Sequence, residues 1–354
     1  MKTVVGVVGA GGISRFHFRA MEETKTPVRI ICDVNREAAR PHVEKFGADY
    51  TVRYEDVVAH RDVTAVVVLV PSPLHYEIVK AALEAGKHVV CEKTLTLSAR
   101  ESLELGRLAE KKGLLLFTNY MKRFFPAVRK ACELVPRLGH IMSVYCRTYQ
   151  GVGNADIHTG AIPPSFLPGP DGQSAVMKMA GGGVLVCGGS HIADLLLYLV
   201  GKPRGVFGRA FERPECDLDF MFHALFDYAD GGVAHFEANW HSLQRIGYER
   251  RGWDEGFEIS GVGGRLVLQT PVWDQPEHNA ARLVHYDNAT ETWTDYAFPI
   301  VNPFVEAEKH FLSQIARGEQ GPMDRYVGYR VDLVLETAKR SAAAGQRLEL
   351  DWEA

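Results

Sequence analysis

Six cysteines in 354 residues, none in a Cys-x-x-Cys pair, are too few and too scattered for a disulfide framework. Cys32, Cys91, Cys132, Cys146, Cys187 and Cys216 suit thiols kept reduced, so a cytoplasmic protein is expected. No run of like charges occurs, and the formal net charge is only -4. Without a broad basic face there is little to displace counterions from nucleic acid, which removes nucleic acid as an expected partner. The apolar stretches Thr3–Gly12 and Val63–Val70 fall far short of the ~20 residues a membrane span requires. Both read as buried strands. No small-residue cleavage site lies between the first of them and the helix carrying Arg15 and Arg19, so neither export nor membrane insertion is expected. Internal repeats and low-complexity tracts are missing as well.

What is present is the balance of a globular protein, 46% hydrophobic and 24% charged, in a chain long enough for two or three compact units. Up to about residue 120, short apolar runs alternate with amphipathic patterns. The runs Thr3–Val8, Val28–Cys32, Ala65–Val70, His88–Cys91 and Leu114–Thr118 predict strands. Arg15–Met21, Arg36–Phe46, His75–Ala85 and Ala99–Lys112 carry apolar residues at helical spacing. Alternation of this kind predicts a doubly wound α/β unit with a parallel sheet, a Rossmann arrangement.

After Asn119 the pattern changes to stretches rich in aromatic and β-branched residues, such as Ile141–Tyr149, Leu218–Tyr228 and Val233–Trp240, with a hairpin signal at Asp230-Gly231-Gly232. A large, mainly antiparallel open sheet is expected. Helices are expected at Gly183–Leu199, Phe304–Arg317 and Tyr326–Ala343. The reading is therefore a Rossmann domain over residues 1–122 and an α+β domain over 123–354. Gly151–Gly182, rich in Gly, Pro and small polar residues, reads as a structureless loop and candidate lid.

The first strand runs into Gly9-Ala10-Gly11-Gly12-Ile13-Ser14. Gly9 permits a tight turn, Gly11 and Gly12 let a pyrophosphate approach the backbone, and the following helix N-terminus favours its charge. Ser14 stands where a third glycine is usual. Asp33, at the end of the second strand, sits where a carboxylate accepts hydrogen bonds from the adenosine ribose. That favours NAD over NADP, although Arg36 offers a countercharge. Asn35, with Asp33, can alternatively cap the next helix.

Further along stand Pro71-Ser72-Pro73-Leu74-His75 and then Gly86-Lys87-His88-Val89-Val90-Cys91-Glu92-Lys93-Thr94. With the glycine loop, His17, and Gly181-Gly182-Gly183 leading to His191-Ile192-Ala193-Asp194, these motifs closely resemble the glucose-fructose oxidoreductase, inositol dehydrogenase and rhizopine-catabolism (Gfo/Idh/MocA) family over nearly the whole chain. The resemblance implies a dinucleotide-dependent oxidoreductase that moves a hydride to or from a hydroxyl-bearing carbon of a sugar, sugar derivative or cyclitol. It implies that Lys93 stabilises the developing alkoxide and that His191 is the general acid/base, a task an imidazole suits because it titrates near neutrality. Pro71, Ser72, His75 and Glu92 would line the nicotinamide and its ribose. Asn119, Lys122 and Arg123, in Asn119-Tyr120-Met121-Lys122-Arg123-Phe124, would approach cofactor and substrate, unless Lys122 and Arg123 are solvated charges on a connecting segment.

The sequence departs from the family pattern at two points. Thr94 replaces a proline, which bears on the local backbone and any cis bond. Cys187 stands where these dehydrogenases commonly carry an aspartate four residues before the histidine, on the helix face His191 shares. Asp194 is a substitute for it or a structural residue. Cys187 also keeps open a redox-neutral glycoside-cleaving enzyme that oxidises a sugar transiently; the resemblance further allows a non-catalytic dinucleotide-binding sensor, against which the retained Lys93 and His191 speak. A zinc set from Cys187 and His191 completed by His158 or Asp156 lacks ligand-pair spacing, and no metal is expected. Tyr120, Tyr149, His158, Cys187, Trp240 and Tyr329 are candidate substrate contacts. A homodimer or homotetramer is expected through the open sheet face, where an uncovered apolar surface is costly.

Overall fold

A computed structural model describes residues 3–152, 160–243, 246, 252–275 and 278–354. The chain forms two compact units: residues up to Met121 with Phe304–Asp332 and Ala354, and Lys122–Pro303 with Leu333–Glu353.

The first unit contains β1 (Val5–Val8), α1 (Ser14–Glu23), β2 (Val28–Cys32), α2 (Arg36–Phe46), β3 (Asp49–Thr51), α3 (Tyr54–Ala59), β4 (Ala65–Val68), α4 (His75–Glu84), β5 (His88–Cys91), α5 (Ala99–Lys111) and β6 (Leu116–Thr118). Its six strands run in the order β3-β2-β1-β4-β5-β6, every pair parallel. Strands covered on both faces read as unbroken apolar runs. Val66, Val68 and Val89 accordingly pack with Val79, Leu83 and Leu105 of α4 and α5 in one core. Strand order reverses between β1 and β4, which leaves a crevice at their carboxyl ends. The sequence did not reveal β3 and α3, because β3 is three half-exposed residues with no periodicity to read.

The second unit contains α6 (Pro126–Leu134), β7 (Ile141–Gly151), α7 (Ala175–Ala180), α8 (Ser190–Leu199), β8 (Gly205–Glu212), β9 (Asp219–Asp227), β10 (Val233–His241), β11 (Asp254–Gly261), β12 (Gly264–Gln269), β13 (Arg282–Asp287) and β14 (Thr292–Tyr296). The chain closes with α9 (Pro303–Arg317), α10 (Val327–Ala344) and β15 (Leu348–Glu349). Nine strands form one sheet in the order β14-β13-β12-β11-β7-β10-β9-β8-β15, antiparallel except for β7 beside β10. The predicted hairpin joins β9 to β10, where Tyr228 N donates to Gly232 O at 2.9 Å and Gly231 takes φ 90°. Alternation along the strands puts Val144, Cys146, Thr148, Phe222, Phe226, Phe236 and Trp240 on a buried face.

Ala175–Leu199 is long and apolar enough to pass for a membrane span by composition, yet 83% of its most apolar window is buried inside the protein. Within Gly151–Gly182, the described stretch 160–182 is not structureless as expected. It holds a turn of 3-10 helix at Pro164–Phe166 and α7, whose first turn is capped by Ser174 accepting from Met177 N at 3.0 Å. Residues 304–332 join the first unit through stacked rings, Phe304 on Phe16 and Phe311 on Phe117, each at 4.9 Å.

Candidate active site

The glycine loop lies at the carboxyl end of β1. Gly9 adopts φ 107°, and a Cβ there would stand 2.7 Å from the Leu69 carbonyl carbon just past β4. Only glycine fits that approach. A Cβ at Gly11 or Gly12 would meet nothing within 4 Å, so their bare backbone faces open space of the kind a pyrophosphate requires. Ser14, in place of a third glycine, is buried and turns its hydroxyl back to Gly11 O at 2.7 Å. Ile13, the residue before α1, makes no side-chain cap. Asp33 holds the loop from β2: Oδ2 accepts from Ala10 N at 2.6 Å and Oδ1 from Asn35 N at 2.7 Å. Each oxygen keeps a second lone pair. Asn35 caps α2 by accepting from Glu37 N and Ala38 N, and the Arg36 guanidinium lies 5.4 Å over the Tyr50 ring. These donors, acceptors and open glycines fit a dinucleotide.

Lys93 follows β5, and its surroundings are unusually polar for a core. The Glu92 Oε1 lies 2.8 Å from His17 Nε2 on α1 and accepts from Asn119 Nδ2 at 2.7 Å, while Oε2 accepts from Lys93 N at 3.1 Å. Burial works to raise the Glu92 pKa, but the His17 and Asn119 hydrogen bonds and the Lys93 charge outweigh it and leave the carboxyl below its ordinary range. Nearby Glu308 of α9, buried and bonded to Thr26 Oγ1 at 3.2 Å, is shifted upward by burial. Buried His75 bridges two loops, with Nδ1 2.7 Å from Thr94 O and Nε2 2.9 Å from Val70 O. Burial lowers its pKa, opposed by those two carbonyls. The Lys93–Thr94 peptide is cis with threonine in the proline position. Ser72 opens a short 3-10 turn behind Pro71.

Two residues that support this segment had no sequence signal. Asp332 on α10 accepts from Thr96 N at 3.1 Å and from Ser102 Oγ at 2.6 Å. A Cβ at Gly328 would lie 2.5 Å from Leu95 Cβ, so glycine lets α10 approach the Lys93 loop. Both contacts are long-range in sequence, where local pattern is blind. Tyr329, on the same helix, and Tyr120 are buried in the first unit.

In the second unit, the glycines before His191 have a clear packing cause. Asp219 of β9 accepts from Gly183 N at 3.1 Å and Leu185 N at 2.8 Å, and a Cβ at Gly183 would stand 2.2 Å from Asp219 O. Leu185–Gly189 form a π-helical turn, and α8 follows with His191, 8% exposed, at its second residue. Cys187 therefore lies inside a wider turn rather than on a regular helix face shared with His191, and its Sγ is 3.7 Å from Gly182 O. Asp194 is structural. It takes a bidentate pair from Arg123, with Nε at 2.9 and 3.0 Å and Nη2 at 2.5 Å.

Residues 3–120 match the model of an oxidoreductase family with an NAD-binding Rossmann fold, and residues 129–267 match the GFO/IDH/MocA C-terminal domain. The chain belongs to the GFO/IDH/MocA oxidoreductase family. It is an NAD(P)-dependent oxidoreductase. It is 25% identical to D-xylose 1-dehydrogenase (NADP(+)) 2 of Haloferax volcanii over 98% of this chain and 99% of that one. To scyllo-inositol 2-dehydrogenase (NADP(+)) of Bacillus subtilis it is 27% identical, over 86% of this chain and 84% of that one. The solved levoglucosan dehydrogenase in complex with NADH and levoglucosan shares the fold, with a TM-score of 0.82 at 22% identity over 99% and 100% of the two chains.

In this GFO/IDH/MocA member, Lys122 and Arg123 are not solvated charges. The Lys122 ammonium is fully buried against Glu255, 2.5 Å from each carboxylate oxygen, with Thr148 and Thr270 also donating to that carboxylate. Tyr149 and Trp240 fall on opposite sheet faces. The Tyr149 hydroxyl donates to Glu237, as does Tyr145 at 2.7 Å, whereas Trp240 packs edge-on to Phe166 at 4.9 Å. The neighbour missed by sequence reading is Gln150, in phase with Val144, Cys146 and Thr148; strict alternation was the signal that would have found it. His158 and Asp156 lie outside the described residues. No group of three or more His, Cys, Asp or Glu able to hold a metal occurs among the described residues.

Proposed function

We propose that this oxidoreductase passes a hydride between the nicotinamide of NAD and a hydroxyl-bearing carbon of a sugar, sugar derivative or cyclitol. The observation that carries the reading is the buried Glu92, His17 and Asn119 cluster, which fixes the backbone of Lys93 at the end of β5 and ties it to the helix that follows the glycine loop. Relatives named for xylose and scyllo-inositol support the substrate class. The nicotinamide supplies the hydride acceptor or donor. In the oxidative direction the Lys93 ammonium stabilises the alkoxide as charge develops on oxygen, and the His191 imidazole takes the hydroxyl proton.

In this reading the unit of residues up to Met121 with Phe304–Asp332 serves as the cofactor domain, and the unit of Lys122–Pro303 with Leu333–Glu353 as the substrate and oligomerisation domain. Gly9, Gly11, Gly12, Ile13 and Ser14 hold the pyrophosphate, and Asp33 takes the ribose hydroxyls. Its charge disfavours a 2′-phosphate, so NAD binds in preference to NADP, with Asn35 and Arg36 flanking the site. Pro71, Ser72, His75, Glu92 and Asn119 shape the nicotinamide side. Lys122 and Arg123 act as positioning residues. Tyr120, Tyr149, His158, Cys187, Trp240 and Tyr329 remain the candidate substrate contacts. The protein works in the cytoplasm as a homodimer or homotetramer. Exposed Phe207, Phe211 and Leu225 on the outer sheet face support such a contact, and Phe207 and Leu225 line a cavity of about 310 Å³ together with Arg209, His223 and Glu237.

The deciding experiment is a panel of sugars, sugar acids, glycosides and inositols with NAD and NADP, read by absorbance of the reduced nicotinamide. Steady NADH formation with one class supports the reading. Product without net NADH would show redox-neutral cleavage, and binding without turnover would show a sensor. Light scattering that gave only monomer mass at micromolar concentration would overturn the oligomer.

A further inference from the structure

A polar chain runs along the buried side of the second unit's sheet. Lys122 pairs with Glu255 at 2.5 Å, Thr148 Oγ1 donates to Glu255 Oε2 at 3.0 Å, Gln150 Nε2 donates to Thr148 Oγ1 at 3.3 Å, and Trp240 Nε1 donates to Gln150 Oε1 at 3.1 Å. Both ends of the Gln150 amide are thereby held. The amide in turn fills the space where a side chain at Gly188 would begin, since a Cβ there would lie 2.1 Å from Nε2 and 2.7 Å from Cδ. Gly189 makes the next contact, with its Cβ position 3.1 Å from the Phe236 ring and 3.5 Å from Ala238 Cβ. The π turn thus rests on β7 and β10 by two side-chain-free residues.

The geometry points to Gln150 as the positioning residue for His191. A π turn carries one residue more than the α-helical turn it replaces, and such turns persist where tertiary packing imposes them. Asp219 anchors the start of this segment at Gly183 and Leu185. Collapse of the turn to regular α-helix would rotate everything beyond it by about 100°, one residue of an α-helix. His191 is the second residue beyond the turn. Gln150, clamped by Thr148 and Trp240 and seated on Gly188, keeps the wide turn in place and so sets where the imidazole points.

The inference rests on the reading of His191 as the acid/base, and its test is chosen to be separable from that reading. NAD-loaded protein is labelled with diethyl pyrocarbonate across a pH series, and modification of His191 is quantified by peptide mass spectrometry. Gln150→Met keeps the chain length and removes both hydrogen bonds. It should label His191 about fivefold faster, the order of population change that losing the hydrogen bonds of one side-chain amide produces. Buried His285 of the same unit should label at an unchanged rate. Gly188→Ala should act in the same direction; if it does not fold, Gln150→Met decides alone. Equal His191 labelling in Gln150→Met and the parent protein would overturn the proposal, and so would a parallel rise at His285, which would mean general loosening. In the substrate assay, a fall in kcat with KM retained in Gln150→Met would support the positioning role. Retained turnover in His191→Ala would sink the acid/base reading while leaving the labelling result intact.

Discussion

His17 Nε2 sits 2.8 Å from Glu92 Oε1 in a region where both side chains are almost wholly buried. The pair joins the helix after the glycine loop to the strand end that carries Lys93. Because the folded Glu92 carboxyl titrates below its unfolded value of about 4.3, its contribution to stability is complete above that value and is lost as pH falls through the lowered folded one. Glu92→Gln should lower stability by about 1–3 kcal/mol at neutral pH and flatten the acid side of the stability profile. Denaturant titrations from neutrality into acid check this; an acid limb as steep as the parent's would contradict it.

Gly9 and Gly12 should separate folding from binding. Gly9→Ala forces a Cβ into the Leu69 backbone at φ 107° and should cost about 2 kcal/mol or more. Gly12→Ala meets no protein atom within 4 Å, so its melting temperature should change little while NAD affinity falls about tenfold or more. Equal effects of the two changes on melting would refute the distinction.

Asp33→Asn keeps an oxygen for Ala10 N and removes the charge that opposes a 2′-phosphate. The ratio of NADP to NAD affinity should rise about tenfold, the effect of ~1.4 kcal/mol of charge interaction. Calorimetry with both cofactors measures it. A ratio that did not move would assign the discrimination elsewhere, Arg36 first.

Lys93→Ala and His191→Ala should each reduce turnover at least about a hundredfold, with much smaller changes in NAD affinity. Cys187→Asp should keep or raise turnover and move the acidic limb of the pH profile upward, because a carboxylate there stabilises a protonated imidazole. A limb that stayed put would show that the π turn carries residue 187 away from the ring.

Lys122→Ala leaves Glu255 buried without its cation and should destabilise by about 3–5 kcal/mol. If Lys122 instead served the cofactor, the loss would appear in NAD affinity with the melting temperature preserved. Thermal melting and calorimetry on the same variant distinguish the two.

Much of the architecture is written in local pattern. Unbroken valine runs between amphipathic helices specify a parallel sheet covered on both faces, period-two alternation specifies the second sheet, and the glycines after β1 mark a turn that a side chain would block. Motif resemblance added a family, two catalytic candidates and the residues expected to line the cofactor. Tertiary structure decided which side chains meet. Tyr149 is a candidate substrate contact by sequence, but strand register gives its hydroxyl to Glu237 and places Gln150 on the face of the π turn. Lys122 and Arg123 carried charge suited to a cofactor, yet Glu255 and Asp194, 133 and 71 residues distant, pair with them inside the second unit. The short β3 and α3, the π turn, and the return of α9 to the first unit depend on contacts between distant segments. A one-dimensional pattern reports periodicity and composition, whereas such pairings are selected by the burial and hydrogen bonding of the completed fold.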